Sequence, residues 1–238
     1  MNLKHAQYVL AVLRKVRSLD NFMVEGCFTC FAGAGMSDLS YAEEQYVRFL
    51  NVLAMFEKEG INLRYRHCCD SPATLNFPEK HLDAVRTGSL LIGFYPSPYA
   101  KRPIDLTLAF EFKTSIALVK DVSKGEKIGL RMMYEAGRKM RIAVLPVGAV
   151  DGFPQAMFNK GAVLVKGHRC PVVGAVGPDY CTIDISAVSD CSVGDEVVLI
   201  GRQGKSEITL YEFAHMAGVD SFELIPSTIS HRVARVYV

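Results

Sequence analysis

No block of like charge runs through this 238-residue chain: 27 lysines and arginines are interspersed with 25 aspartates and glutamates, for a net charge of +2. Clustered cations are what neutralise phosphate backbones and anionic lipid surfaces, so neither a nucleic-acid partner nor a basic membrane contact is expected. A long apolar run is missing too. The first hydrophobic stretch is broken by Lys4, Arg14, Lys15 and Arg17, which argues against a signal peptide or a transmembrane helix and for a cytoplasmic protein. Internal repeats and low-complexity segments are absent, and no second cysteine pair at zinc-ribbon spacing complements Cys27-Phe28-Thr29-Cys30. The seven cysteines are odd in number and the adjacent Cys68-Cys69 would be awkward to oxidise. An offset of three on a strand sends Cys27 and Cys30 to opposite faces. Buried, reduced thiols and no metal site are the expectation.

What is present is ample apolar content, half of all residues, arranged in two textures. From residue 1 to 103, helical and strand patterns alternate, which argues for parallel α/β architecture. Leu3, Ala6, Val9, Leu10, Leu13 and Val16 recur at helical spacing, and Phe22 to Phe31 reads as a strand. Ser40-Tyr41-Ala42-Glu43 has the form of a capping box opening a helix that runs to Lys58 and stops at Gly60. A strand over Ile61 to Arg66, a short helix over Pro72 to Phe77 and a strand over Leu90 to Phe94 follow. The Pro-rich stretch Tyr95 to Pro103 is the expected joint. From 104 to 238, short Val/Ile/Thr-rich segments separated by Gly, Pro and Asp predict an all-β domain with one helix near Thr209 to Met216. The predicted strands are Phe110–Thr114, Ile142–Leu145, Ala162–Val165, Val172–Val176, Thr182–Ile185 and Glu196–Ile200. The first region is too short to close a (β/α)8 barrel, and its open sheet edges call for a partner.

An ordered set of phrases resembles the alanine racemases. Leu145-Pro146-Val147-Gly148-Ala149-Val150-Asp151-Gly152 carries most of it, with Asn159-Lys160-Gly161, Val197 to Gly204 and the terminal Ser230-His231-Arg232. Upstream, Val24 to Ala32 is similar to a late barrel strand of the family, and Asp70-Ser71-Pro72 and Val85-Arg86-Thr87-Gly88 to its next two cofactor motifs. The resemblance implies a C-terminal fragment of a (β/α)8 TIM-type barrel followed by a C-terminal β-domain. It also implies a family reaction, the pyridoxal-phosphate-dependent interconversion of L- and D-alanine, with alanine or a similar small amino acid as ligand. The family's early barrel strands and Schiff-base lysine have no counterpart in these 238 residues.

Residue by residue, the resemblance makes Arg86 the partner of the cofactor's pyridine nitrogen, and Ser71 and Gly88 contacts of its phosphate. Other positions depart from the family. Leu130 stands where the partner-face catalytic tyrosine belongs, so no catalytic residue is assigned, and Tyr134 matches a different aromatic position. Phe222 replaces a phosphate-binding tyrosine, Asp70 an asparagine, Cys30 a ring-stacking histidine and Ala149 a substrate-side tyrosine; Gly177-Pro178 replaces cysteine-methionine before Asp179. Each site residue also has a plainer reading. Asp70-Ser71-Pro72 makes a good helix cap, Arg86 can be a solvated or salt-bridged arginine, Asp151 and Asp179 turn residues, and His67 and His231 structural histidines. The expectation is a racemase-like protein that is impaired or inactive as a lone chain, with cofactor binding weak or absent. It would form a homodimer or pair with a full-length racemase. The alternatives are half of a split racemase and a non-catalytic interaction module.

Overall fold

The computed structural model describes residues 3–129, 131–219 and 225–237, and the chain divides into two compact units, Met1–Ala109 and Phe110–Val238. Among the described residues, no helix is long and apolar enough to cross a membrane.

The first unit alternates helices and strands: α1 (Leu3–Arg17), β1 (Gly26–Phe28), α2 (Ser40–Lys58), β2 (Tyr65–Asp70), α3 (Ser71–Asn76), β3 (Ala84–Arg86) and α4 (Ser89–Ile92). The strands form one parallel sheet in the order β1-β2-β3, the construction of part of a (β/α)8 barrel. Parallel pairing follows from the helical connection between β1 and β2, which carries the chain back before the next strand begins. Phe31, Phe49 and Phe77 close over Cys68, Cys69 and Ala73 in the core, while Phe56 packs with Leu10 and Ile61.

Several local expectations are corrected. The first strand is only three residues long, and Cys30, beyond its end, is exposed rather than buried, with Cys27 half-buried. Helix α2 has the predicted span but no capping box: Leu39 is its N-cap without a side-chain bond. Glu43, placed for the return bond of that box, pairs with Lys80 instead. The strand after Gly60 begins at Tyr65, not Ile61. Leu90–Phe94 is not a strand, because Gly88 opens and left-handed Gly93 (φ 89°) ends a single helical turn there.

The second unit is built of antiparallel strands: β4 (Phe112–Ser115), β5 (Leu118–Val122), β6 (Lys127–Ile128), β7 (Tyr134–Glu135), β8 (Met140–Leu145), β9 (Ala162–Val165), β10 (His168–Pro171), β11 (Cys181–Asp184), β12 (Glu196–Gln203) and β13 (Ser206–Ile208), then helices α5 (Leu210–Ala217) and α6 (Ile225–Thr228). One sheet runs β10-β9-β12-β13 with β4 also on β12; a second runs β11-β8-β5, and β6 pairs with β7. β12 is buried without interruption from Val197 to Gly201, as a continuous apolar run demands. Helix α5 starts where expected: Thr209 Oγ1 accepts from the Glu212 backbone N at 3.1 Å. The predicted strand at Val172–Val176 is lost. Gly174 takes φ 78° and its N–H donates to Asn159 Oδ1, so the ladder ends in one bridge from Val172 to Ile183.

Candidate functional site

Parallel strands bring their carboxyl ends together, and in such architectures the loops beyond those ends carry the chemistry. Phe28, Asp70 and Arg86 are the last residues of β1, β2 and β3. Ser71, Arg86 and Gly88 therefore come together with Thr29 and Cys30 at one end of the sheet, although they lie far apart in the chain.

Two networks organise this end. In the first, Arg86 donates through one terminal nitrogen to His67 Nδ1 and through the other to the Thr29 carbonyl oxygen at 2.9 Å. Its guanidinium carbon lies 5.0 Å from the Phe28 ring centroid, and Phe28 stacks on His67 at 5.3 Å with the rings 4° from parallel. Burial and then the Arg86 charge hold His67 below its ordinary pKa. The ring is thus favoured as neutral, with Nδ1 free to accept. Arg86 is half-buried and, among the described residues, makes no salt bridge; an imidazole and a carbonyl orient it. His67 is satisfied as its plainer reading held, but its direct hold on Arg86 was missed. The available signal was parallel pairing, which puts the ends of β2 and β3 side by side.

In the second network, Ser71 Oγ accepts from the Gly88 backbone N at 2.9 Å, and a side chain at Gly88 would meet open space. Asp70 is the N-cap of α3: its Oδ1 accepts from the Ala73 backbone N at 3.1 Å, with proline in the first turn. Asp70 Oδ2 accepts from Cys30 Sγ at 3.6 Å. Burial first, then the Asp70 charge, push the Cys30 thiol above its usual pKa, so it stays protonated. The helix start that could receive an anion already holds a carboxylate.

In the second unit, the loop after β8 is tied to the one before β11. Ala149 and Val150 donate their backbone N–H groups to the Gly177 and Pro178 carbonyls, both at 2.9 Å. Only glycine fits at 148, since a Cβ there would come within 2.5 Å of Gly177 O and Asp179 N. Asp151 is buried and accepts from Gly148 N at 3.0 Å, while Asp179 is exposed. A cavity of about 360 Å³ lies beside these loops, walled by Arg131, Met133, Gln155, Phe158, Val176 and Pro178. Tyr134 packs on the core, its hydroxyl 3.9 Å from Met140 Sδ. Leu130 and Phe222 lie outside the described residues.

Two family descriptions match the chain in tandem: "Alanine racemase, N-terminal domain" over residues 4–96 and "Alanine racemase, C-terminal domain" over 109–237. The alanine racemase of Methanococcus maripaludis is 38% identical over 227 residues, covering 95% of this chain and 60% of the relative. That of Halothermothrix orenii is 40% identical over 225 residues, covering 94% and 59%. Among solved structures, the Clostridium difficile 630 alanine racemase in complex with cycloserine has a TM-score of 0.90 at 30% identity, covering 100% of this chain and 61% of its own. The Bacillus anthracis enzyme with bound L-Ala-P has a TM-score of 0.90 at 32% identity, covering 98% and 60%. The chain thus spans about 60% of the length of the relatives it matches. It belongs to the alanine racemase family.

Proposed function

We propose that this chain is an alanine racemase-like protein that binds pyridoxal phosphate weakly or not at all and is impaired or inactive as a racemase on its own. Residues 1–103 would be its part of the family's barrel domain and 104–238 its β-domain. The observation that carries the reading is the Asp70 carboxylate at the start of α3, beside Ser71 and Gly88. A phosphate dianion there meets a like charge that already takes the Ala73 N–H, so the residues present do not fit the phosphate end of the cofactor. Arg86 fits its ring end, held by His67 and Thr29. Leu130 and Ala149, which carry no transferable proton, and Phe222, which offers no hydroxyl, point the same way.

Titration with pyridoxal phosphate, followed by its absorbance, tests this. Asp70→Asn keeps the helix cap, because asparagine caps as well as aspartate, but removes the charge. It is expected to tighten binding about tenfold, equivalent to roughly 1.4 kcal/mol, with the melting temperature unchanged. Submicromolar affinity in the unaltered chain, or no gain in the variant, would overturn the proposal.

Exposed apolar groups on the first unit favour association, as a homodimer or with a full-length racemase. Phe22 and Phe28 are each 65% exposed and Met23 is 82% exposed, and among the described residues β1 pairs on one side only. Unpaired strand edges flanked by apolar side chains are sites of pairing between chains. Sedimentation velocity is expected to show concentration-dependent mass growth. A single monomeric boundary at all concentrations would count against it.

A further inference from the structure

We propose that Cys68 and Cys69 form a reversible thiol–disulfide site, oxidised by hydroperoxide, that acts on the end of β2 presenting Asp70 and Ser71. Neighbouring residues on a regular strand point to opposite faces, which would keep two adjacent thiols apart. β2 is not regular at this point. Its register to β3 pairs His67 with Ala84 and then Cys69 with Val85, leaving Cys68 as an extra residue in a bulge. The two sulfurs consequently lie 4.0 Å apart and share one acceptor, the Lys80 carbonyl oxygen, at 3.2 and 3.4 Å.

The pair is also chemically unequal. When Cys68 loses its proton, Cys69 turns its S–H from the Lys80 carbonyl to the Cys68 sulfur, which lowers the Cys68 pKa and raises that of Cys69; burial raises Cys68, and the nearby Arg86 and Lys80 charges lower it. The Arg86 cation acts on Cys68 and the Asp70 carboxylate on Cys69, so Cys68 is the attacking sulfur. Its thiolate displaces hydroxide from hydrogen peroxide to give a sulfenic acid. The Cys69 thiol then attacks that sulfur; its proton and the sulfenic hydroxyl leave as water. Two thiols are oxidised to one disulfide, and one peroxide is reduced to two waters.

Burial sets the character of the site. Both residues are fully enclosed among Phe31, Ala42, Phe49, Ala73 and Phe77, so only a small uncharged oxidant gains entry, through local opening. Closing the pair adds no atoms and needs no cavity. Adjacent Cα atoms are about 3.8 Å apart, below the roughly 4.4 Å at which disulfides ordinarily begin. Such a bond is strained and readily reduced, which makes it reversible. Forming it takes both donors away from the Lys80 carbonyl and alters the bulge one residue before Asp70.

The test treats the intact protein with hydrogen peroxide, alkylates it in denaturant and maps the cysteines by mass spectrometry. The expected product is a peptide holding Cys68 and Cys69 that is unalkylated and lighter by two hydrogens, restored by dithiothreitol. Hydrogen exchange over residues 70–76 should rise in the oxidised form and return on reduction. In Cys69→Ser, Cys68 should instead stop at singly oxidised sulfur, with no internal bond. Exposed Cys30 serves as the internal standard. Full alkylation of Cys68 and Cys69 once Cys30 is fully oxidised would overturn the proposal, as would a disulfide from either to a third cysteine. Unchanged exchange over 70–76 would overturn the coupling to the site.

Discussion

Purified and incubated with L-alanine and pyridoxal phosphate, the chain is expected to form no D-alanine above the rate of free cofactor, as followed by chiral chromatography. Inverting Cα requires a proton to leave one face and another to arrive on the opposite face, and each positioned acid or base contributes about 10²–10⁴-fold. In the proposed reading, Leu130 stands at the place of the family's β-domain tyrosine, and a leucine side chain exchanges no proton. Leu130→Tyr alone is expected to leave the rate unchanged, because, on the same reading, Ala149, Phe222 and the Asp70 carboxylate are further departures from the family. Turnover well above free cofactor and abolished by Arg86→Ala would sink both this expectation and the proposed function.

The largest loss of stability is expected at Phe153→Ala. This ring is fully buried and meets Phe213 of α5 at 6.0 Å between centroids, edge to face. It follows Gly152 directly, and its N–H donates to the Gly148 carbonyl, so it pins the 148–152 loop to the core beneath α5. Replacing a buried phenylalanine with alanine costs about 3–5 kcal/mol, the lost transfer energy plus that of the cavity left behind. Against a typical total of about 5–15 kcal/mol, the urea midpoint should drop sharply. A shift equivalent to less than about 1 kcal/mol would show that the site collapses around the smaller side chain.

Those two sites differ in how far they could be read from the residues. In the phrase around Gly148 to Phe153, the residues alone mark Asp151 as a turn residue. The structure supplies the reason: the loop after β8 passes within contact of the loop before β11. Asp70-Ser71-Pro72 announced a helix start, and Asp70 is that cap. Neither sequence stretch indicated that Ser71 would accept from Gly88, because that contact depends on β2 and β3 lying side by side.

Periodicity and punctuation alone determined the two textures of the chain, the spans of α1, α2 and α5, and the strands β9, β11 and β12. Each of these is written in local apolar spacing, with a capping residue as well at Thr209 before α5, and its neighbours reinforce the local preference. Motif order likewise identified the family. Tertiary structure decided what local spacing leaves open. The run Leu90–Phe94 became a helical turn because Gly88 and Gly93 bracket it. Val172–Val176 lost its ladder to a left-handed glycine held by Asn159. Only the sheet could bring Arg86 against His67 and Thr29. The bulge that turns Cys68 and Cys69 toward one carbonyl is likewise a property of strand pairing. Register is set between strands rather than within them, so no reading of either strand alone contains it.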